Sequence, residues 1–192
     1  MQDEDIHAGP ARPPGFRRTV PPGDTLERDV CGHCGFVDYR NPKVIVGSVV
    51  RAAGLVLLCR RAIEPRRGFW TLPAGYLELG ETAEDGARRE AREEANADIR
   101  LRGLLAVYSI PRIGQVQLIY RAALAGGVAP GPESLEVALL RPDEIPWRDL
   151  AFPSVAWALR QDAEVEAGRA SGPFGNPDGE TGDRFAPGAS GL

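Results

Sequence analysis

The 192-residue chain has three cysteines, one methionine and no apolar run longer than a β-strand. Its longest candidates, Val44–Val50 and Leu55–Cys59, fall well short of the ~18 to 20 residues that a membrane-spanning helix requires, so no membrane partner is expected. The first thirty residues hold no apolar stretch of signal-peptide type, which leads to the expectation of a cytoplasmic protein. An odd cysteine count without such a leader gives no disulfide framework and suits a reducing compartment. Positive charge is not in excess either: 23 Lys+Arg face 27 Asp+Glu, a formal charge of −4. That balance argues against a general nucleic-acid coat, because a phosphate backbone calls for clustered positive surface, and no nucleic-acid partner is expected.

Glycine and proline are plentiful but crowd the two ends. Residues 1–22 carry Pro10, Pro13, Pro14, Pro21 and Pro22 after an acidic start, and residues 168–192 carry Pro173, Pro177 and Pro187 among many glycines. Neither segment has enough apolar side chain to offset the entropy of ordering, so both are expected to be disordered. A compact region from about residue 31 to residue 167 is left, a size suited to one domain.

Within that region the pattern alternates. Lys43–Val50 and Leu55–Arg60 read as strands joined by a hairpin at Ala52-Ala53-Gly54. Thr82–Ala95 reads as a helix: Thr82 and Asp85 resemble a capping box, and Asn96 stands where a left-handed terminal residue is expected. Ala83, Ala87, Ala91 and Ala95 give it one smooth face that can lie close to a sheet. Strands over Ile99–Ser109, Gln115–Ala123 and Ser134–Leu140 and a helix over Ser154–Glu166 complete an α/β order, a mixed sheet with a helix on each side.

Glu90, Glu93 and Glu94 are spaced i, i+3 and i+4, so their carboxylates leave one helix face within about one turn. Arg88, Arg89 and Arg92 are interspersed, and on helix composition alone a solvated charged face competes with a functional one. The preceding segment, Gly68 to Glu81, weighs against the solvated face, since it sets a glycine-bearing loop directly before the helix. Loop, helix start and carboxylates together suit an anionic phosphate and the divalent cation that neutralises it. Mg²⁺, a hard ion that takes oxygen ligands and keeps several waters, fits best, with Mn²⁺ as the alternative.

The residues Gly75, Glu81, Arg89, Glu90, Ala91, Glu93, Glu94 and Ala97 resemble the Nudix box, in which a glycine, a glutamate, an Arg-Glu pair and a Glu-Glu pair recur at fixed spacing. One position departs: Asn96 stands for the second glycine, and asparagine is the next residue to adopt a positive φ readily. Outside the box, Asn41-Pro42-Lys43, Leu58 to Arg61, Trp70 to Gly75, Pro130 to Glu136 and Ile145-Pro146-Trp147 are similar to a Nudix subgroup that carries an N-terminal zinc ribbon and includes plant FAD and ADP-ribose pyrophosphatases. The resemblance implies the Nudix α/β/α sandwich with a mixed β-sheet over residues 43–167.

It also implies roles. Glu90 and Glu94 become metal ligands, Glu93 a ligand directly or through water, and the Ala74 carbonyl a further donor. Glu81 and Arg89 become the pair that orients those glutamates. The implied reaction is attack of water on one phosphorus of a diphosphate, giving two monophosphates. An acid beyond the helix is then needed as a further ligand or general base. Glu133 is assigned, because relatives place an acidic ligand there, with Glu136 as runner-up. Arg61 is a candidate phosphate contact, and Phe69, Trp70, Tyr76 and Tyr108 are candidates to stack on an adenine or flavin ring.

Pro111, fifteen residues beyond Asn96, has a spacing similar to the ADP-ribose pyrophosphatase signature. The run typical of NADH pyrophosphatases is absent, and Tyr108 to Gln115 stands in its place. FAD and ADP-ribose are therefore the favoured small-molecule nucleotide substrates. A sensor that binds such a nucleotide without cleaving it is the rival, and retention of every box glutamate counts against it. Family relatives are commonly homodimers, so a homodimer is one possible assembly, but the oligomeric state is not readable from the sequence.

Cys31-Gly32-His33-Cys34 has the spacing of half a zinc site, and closed structural sites need four ligands. No second Cys-x-x-Cys precedes it, and Cys59 lies in an apolar strand. Residues 23–42 are thus read as a degenerate ribbon-like segment in which Zn²⁺ would have to recruit His33, His7 or a second subunit.

Overall fold

The computed structural model describes residues 13–182, which form two units, divided after Pro42. The first is a three-stranded antiparallel sheet of β1 (Phe16–Thr19), β2 (Arg28–Cys31) and β3 (Val37–Asp38). The disordered arm expected over residues 1–22 is corrected for its described part: Phe16 pairs with Cys31 and Thr19 with Arg28, and the Phe16 ring meets Phe36 edge-on at 6.4 Å. A backbone ladder plus one aromatic contact secures a segment whose composition alone argued for disorder. Residues 1–12 lie outside the described residues. Buried Asp29 accepts an ion pair from Arg40 at 3.2 Å.

The second unit is an α/β sandwich. Its main sheet runs β10 (Ser134–Leu140), β5 (Leu55–Arg61), β4 (Lys43–Ala52), β9 (Gln115–Leu124), β8 (Ile99–Ile110), with short strands β6 (Trp70–Thr71) on β5 and β7 (Ala74–Tyr76) on β4. β4 and β9 are parallel and their other partners antiparallel, so the sheet is mixed as expected. Ala53 and Gly54 both have positive φ, the two-residue hairpin turn that joins β4 to β5.

Strand alternation divides the core. Val49, Val56 and Leu58 face one way, onto Val155, Ala156 and Leu159 of α2 (Pro153–Glu166), whereas Val50, Leu57 and Cys59 face α1 (Ala83–Ala95) through Ala91 and Ala95. Gly47 allows the close approach of β7, because a side-chain carbon there would overlap Ala74. No helix among the described residues is long and apolar enough to cross a membrane.

The tail expected to be disordered over residues 168–192 is corrected for residues 168–182. Phe174 packs against the α2-side core and bridges to Ala106 on β8. One partly buried ring and main-chain bonds to an edge strand hold a glycine- and proline-rich segment in place. Residues 183–192 lie outside the described residues.

Candidate active site

The site is assembled around α1. Thr82 caps the helix, accepting from the Asp85 backbone N–H at 3.1 Å, and Asn96 ends it in the left-handed conformation with φ 47°. The alanine face lies against the sheet, so Glu90 and Glu94 leave the helix buried while Glu93 is exposed. Gly75 makes room for them: a side-chain carbon there would overlap the Glu90 carboxylate.

Arg89 organises the cluster. Its Nε and Nη2 grip both oxygens of Glu81 at 3.1 and 2.8 Å, its Nη1 donates to Glu90 at 2.6 Å and Glu93 at 2.9 Å, and Nη2 also donates to the Tyr76 carbonyl at 2.9 Å. Glu81 in turn accepts from the Glu78 backbone N–H at 2.7 Å. The pair expected to orient the glutamates is thus in contact with two of them, and these contacts raise the Arg89 pKa.

Burial pushes the Glu94 carboxyl up to about 8; Glu90 and Glu133 push the same way, against a hydrogen bond from the Ala74 N–H and the attraction of Arg61. Glu90 is also raised, first by burial, against Arg89 and with help from Glu93 and Glu133. Buried carboxylates that disfavour one another's ionisation are a site short of positive charge. The oxygen donors of buried Glu90 and Glu94 fit a divalent hard cation, with Glu133 within electrostatic reach of both. As the side chains stand, Arg89 holds Glu90 and Glu93, and no three acids, histidines or cysteines among the described residues form a ready-made cage.

Beyond the helix, Glu133 and Glu136 separate. The Ala129–Gly131 segment crosses the C-terminal end of α1, its Gly131 N–H donating to the Glu94 carbonyl at 3.0 Å and the Ala129 N–H to the Ala95 carbonyl at 2.9 Å. Only glycine fits at 131, because a side-chain carbon would overlap the Glu93 backbone. This crossing brings Glu133 within electrostatic reach of Glu90 and Glu94. Glu136, expected as the runner-up, is corrected: it pairs with Arg60 at 3.6 Å, both side chains about half exposed.

A cavity of about 440 Å³ opens beside the cluster, sharing Ala74, Gly75 and Tyr76 with the box loop. Arg61 lines it, stacked 5.2 Å from the Phe152 ring centroid and anchored by Nε to the Pro65 carbonyl at 2.8 Å. Tyr76 is also in the wall, and Phe69 and Trp70 are not. Tyr108, expected at the substrate, is corrected: it is fully buried in the core, edge-on to Trp157 at 5.3 Å, and its hydroxyl donates to Gln161. It shares strand parity with core residues Ala106 and Ile110, which turns its ring to the α2 face. Sequence reasoning missed Phe152, Gln115 and Gln117 in the wall. Two glutamines at i and i+2 ahead of Ile119, on one face of a strand, were the available signal.

Among the described residues, which leave out His7, the donor set of the first unit does not fit a closed zinc site. Gly15 and Gly35 both have positive φ and each precedes a phenylalanine, so the two turns match, but Pro14 stands where Cys34 does in the second. Only Cys31, Cys34 and His33 remain there among the described residues, and no metal-holding group forms. Cys59 is in the core, its thiol pushed up by burial.

The family model described as NUDIX domain matches residues 41–159, and the one described as Nudix N-terminal, a zinc ribbon, matches residues 14–40. A MutT-like protein of Streptomyces ambofaciens is 41% identical over 102 residues, 53% of this chain and 64% of that protein. An ADP-ribose pyrophosphatase of Methanocaldococcus jannaschii is 37% identical over 73 residues, 38% of this chain and 43% of that protein. The match thus spans less than two thirds of either relative's length. Among solved structures, a NUDIX hydrolase from Nitrosomonas europaea superimposes with a TM-score of 0.79 at 48% identity, covering 83% of this chain and 92% of that one. With the box glutamates on α1, the sandwich around them and a family match over most of the chain, this protein belongs to the Nudix hydrolase family.

Proposed function

We propose that the protein hydrolyses the pyrophosphate bond of a nucleoside diphosphate derivative, with FAD or ADP-ribose as the favoured substrate and Mg²⁺ as the metal. The observation that carries this reading is the shared wall. The cavity and the carboxylate cluster meet at Ala74 and Gly75, so a diphosphate lying along the cavity reaches Glu90 and Glu94. A volume of about 440 Å³ suits a nucleotide-sized ligand. The name of the Methanocaldococcus jannaschii relative supports ADP-ribose.

Glu90 and Glu94 would hold the metal, with Glu93 and the Ala74 carbonyl as further donors. A divalent ion held there would supply positive charge against the diphosphate and so favour attack by water. Arg89, fixed by Glu81, sets the orientation of Glu90 and Glu93. Arg61 holds a phosphate oxygen with the donors that its bond to Pro65 leaves over. Glu133 takes the proton from water as its oxygen bonds to phosphorus; the bridging P–O bond breaks and its electrons leave with the departing phosphate.

Product analysis with Mg²⁺ across FAD, ADP-ribose, NADH, diadenosine polyphosphates and an oxidised deoxynucleoside triphosphate tests it. AMP release from FAD or ADP-ribose is the expected result. Binding of any of these with none cleaved would replace the enzyme by a sensor.

A further inference from the structure

Residues 172–182 run along the open edge of β8 and end in the wall of the cavity. The attachment is specific. The Phe174 N–H donates to the Leu105 carbonyl at 2.8 Å, and the Val107 N–H donates to the Phe174 carbonyl at 2.9 Å. Asn176 then closes on both polar groups of Ser109: its Oδ1 accepts from the Ser109 N–H at 2.9 Å and its Nδ2 donates to the Ser109 carbonyl at 2.8 Å. Gln161 of α2 donates to the Gly175 carbonyl at 3.2 Å. Gly172 is required for the approach, since a side-chain carbon there would lie 2.8 Å from the Leu105 carbonyl oxygen. At its far end Gly182 touches Ile110 and Trp157 closely enough that a side-chain carbon would overlap Ile110, and it lines the cavity.

The position of this strap in the sheet tells which part of a ligand it meets. The cavity crosses the sheet from Arg61 at the end of β5, over Ile45 of β4 and Gln115 and Gln117 of β9, to Ile110 at the end of β8. Three strand spacings separate β5 from β8, a span of about 14 Å. Arg61 is the end that acts electrostatically on Glu94, so the β8 end is distal to the reacting phosphate. Its walls are Ile110, Ile113 and Ile119 with the two glutamine amides. Gln117 Nε2 donates to Gln115 Oε1 at 3.3 Å, which leaves a donor on Gln115 and an acceptor on Gln117 for a ligand. Apolar faces with one donor and one acceptor side by side suit a planar, hydrogen-bonding heterocycle.

We propose that the strap of residues 172–182 is a specificity element that walls the distal end of the cavity and, with Gln115 and Gln117, holds the nucleobase of the substrate. This rests on the nucleotide reading above and assigns the base end of the same site. Without the strap the wall that Gly182 forms beside Ile110 is lost, and a base there keeps its hydrogen bonds but loses part of its enclosure.

Two deletions and one substitution test it, read by calorimetric AMP binding without metal and by steady-state kinetics with ADP-ribose and Mg²⁺. Removing residues 183–192 leaves the strap whole, whereas removing 172–192 deletes it. The shorter deletion should bind AMP like the full chain. The longer one should bind it at least about tenfold more weakly, with KM for ADP-ribose rising in parallel and kcat within about twofold, the pattern of lost ground-state binding. Should the longer deletion fail to fold, Asn176→Ala decides in the full-length chain, with an expected loss of AMP affinity of about threefold or more. Unchanged AMP affinity in the folded deletion, or in Asn176→Ala where the deletion does not fold, overturns the assignment. So does an absence of AMP binding by the full chain. AMP binding that depends on the strap, in a protein that cleaves none of the nucleotides, would leave this assignment standing and overturn the hydrolase reading alone.

Discussion

Replacing Glu94 by glutamine should stabilise the metal-free protein near neutral pH, although it removes a central member of the cluster. Glu94 is 6% exposed, and burial moves its carboxyl from an ordinary 4.5 to about 8. Below pH 4.5 the group is protonated in folded and unfolded chains alike and has no effect on their balance. Between pH 4.5 and 8 the unfolded chain releases the proton while the folded one keeps it, so stability falls as pH rises through this window. By pH 7 the resisted ionisation costs roughly 3 kcal/mol. Glutamine keeps the shape and a carbonyl to accept the Ala74 N–H but carries no charge. The gain in Glu94→Gln should therefore approach 2 to 3 kcal/mol, about 4 to 12 °C in melting temperature for a protein of this size. Thermal unfolding in a chelator at pH 4.5 and pH 7.5 is the assay: the two proteins should nearly coincide at the lower pH and separate at the higher. Millimolar Mg²⁺ should then raise the wild type more than the variant, because only the folded site binds the ion. Binding should also release a proton near pH 7, visible as a buffer-dependent heat. A variant no more stable than wild type at pH 7.5 in chelator would refute the view that Glu94 is a buried carboxyl whose ionisation waits for a cation.

Asp162, 1% exposed, accepts from both Arg51 and Arg121, the latter at 2.7 Å; Asp162→Ala leaves the partly buried Arg51 without its carboxylate and Arg121 with Glu166 alone, and should cost about 3 kcal/mol, measured by urea unfolding. Glu133→Gln should lower kcat at least about tenfold with little change in KM, while Glu136→Gln should leave both unchanged; equal effects would contradict the separation of the two acids. Overnight treatment with a zinc chelator should leave the melting temperature of the whole chain within about 1 °C, because Phe16 and Phe36, rather than a closed metal site, join the two turns of the first unit; a fall of several degrees with zinc released would overturn this.

The helix that carries the acids was legible in the sequence because everything that defines it is local. Thr82 caps it, Asn96 ends it, the alanines mark its buried face, and a turn of 3.6 residues gathers Glu90, Glu93 and Glu94 on another. The five long strands of the main sheet and the hairpin between β4 and β5 were legible for the same reason, whereas β6 and β7 lie in a segment that read as a loop and depend on pairing with β5 and β4. What escaped depends on contacts between distant segments. Tyr108 looked like a ring for stacking, yet only the arrival of Trp157 and Gln161 from α2 makes its place core. Phe152 joins Arg61 in the cavity wall across about ninety residues of chain, and Gly131 must cross α1 before Glu133, rather than Glu136, can act on Glu94. Composition misjudged residues 13–22 and 168–182 because it counts apolar side chains without knowing which open strand edge lies near. One phenylalanine in each segment, placed against a partner that the fold supplies, together with main-chain hydrogen bonds to a waiting edge, is enough to order a stretch that could not order itself.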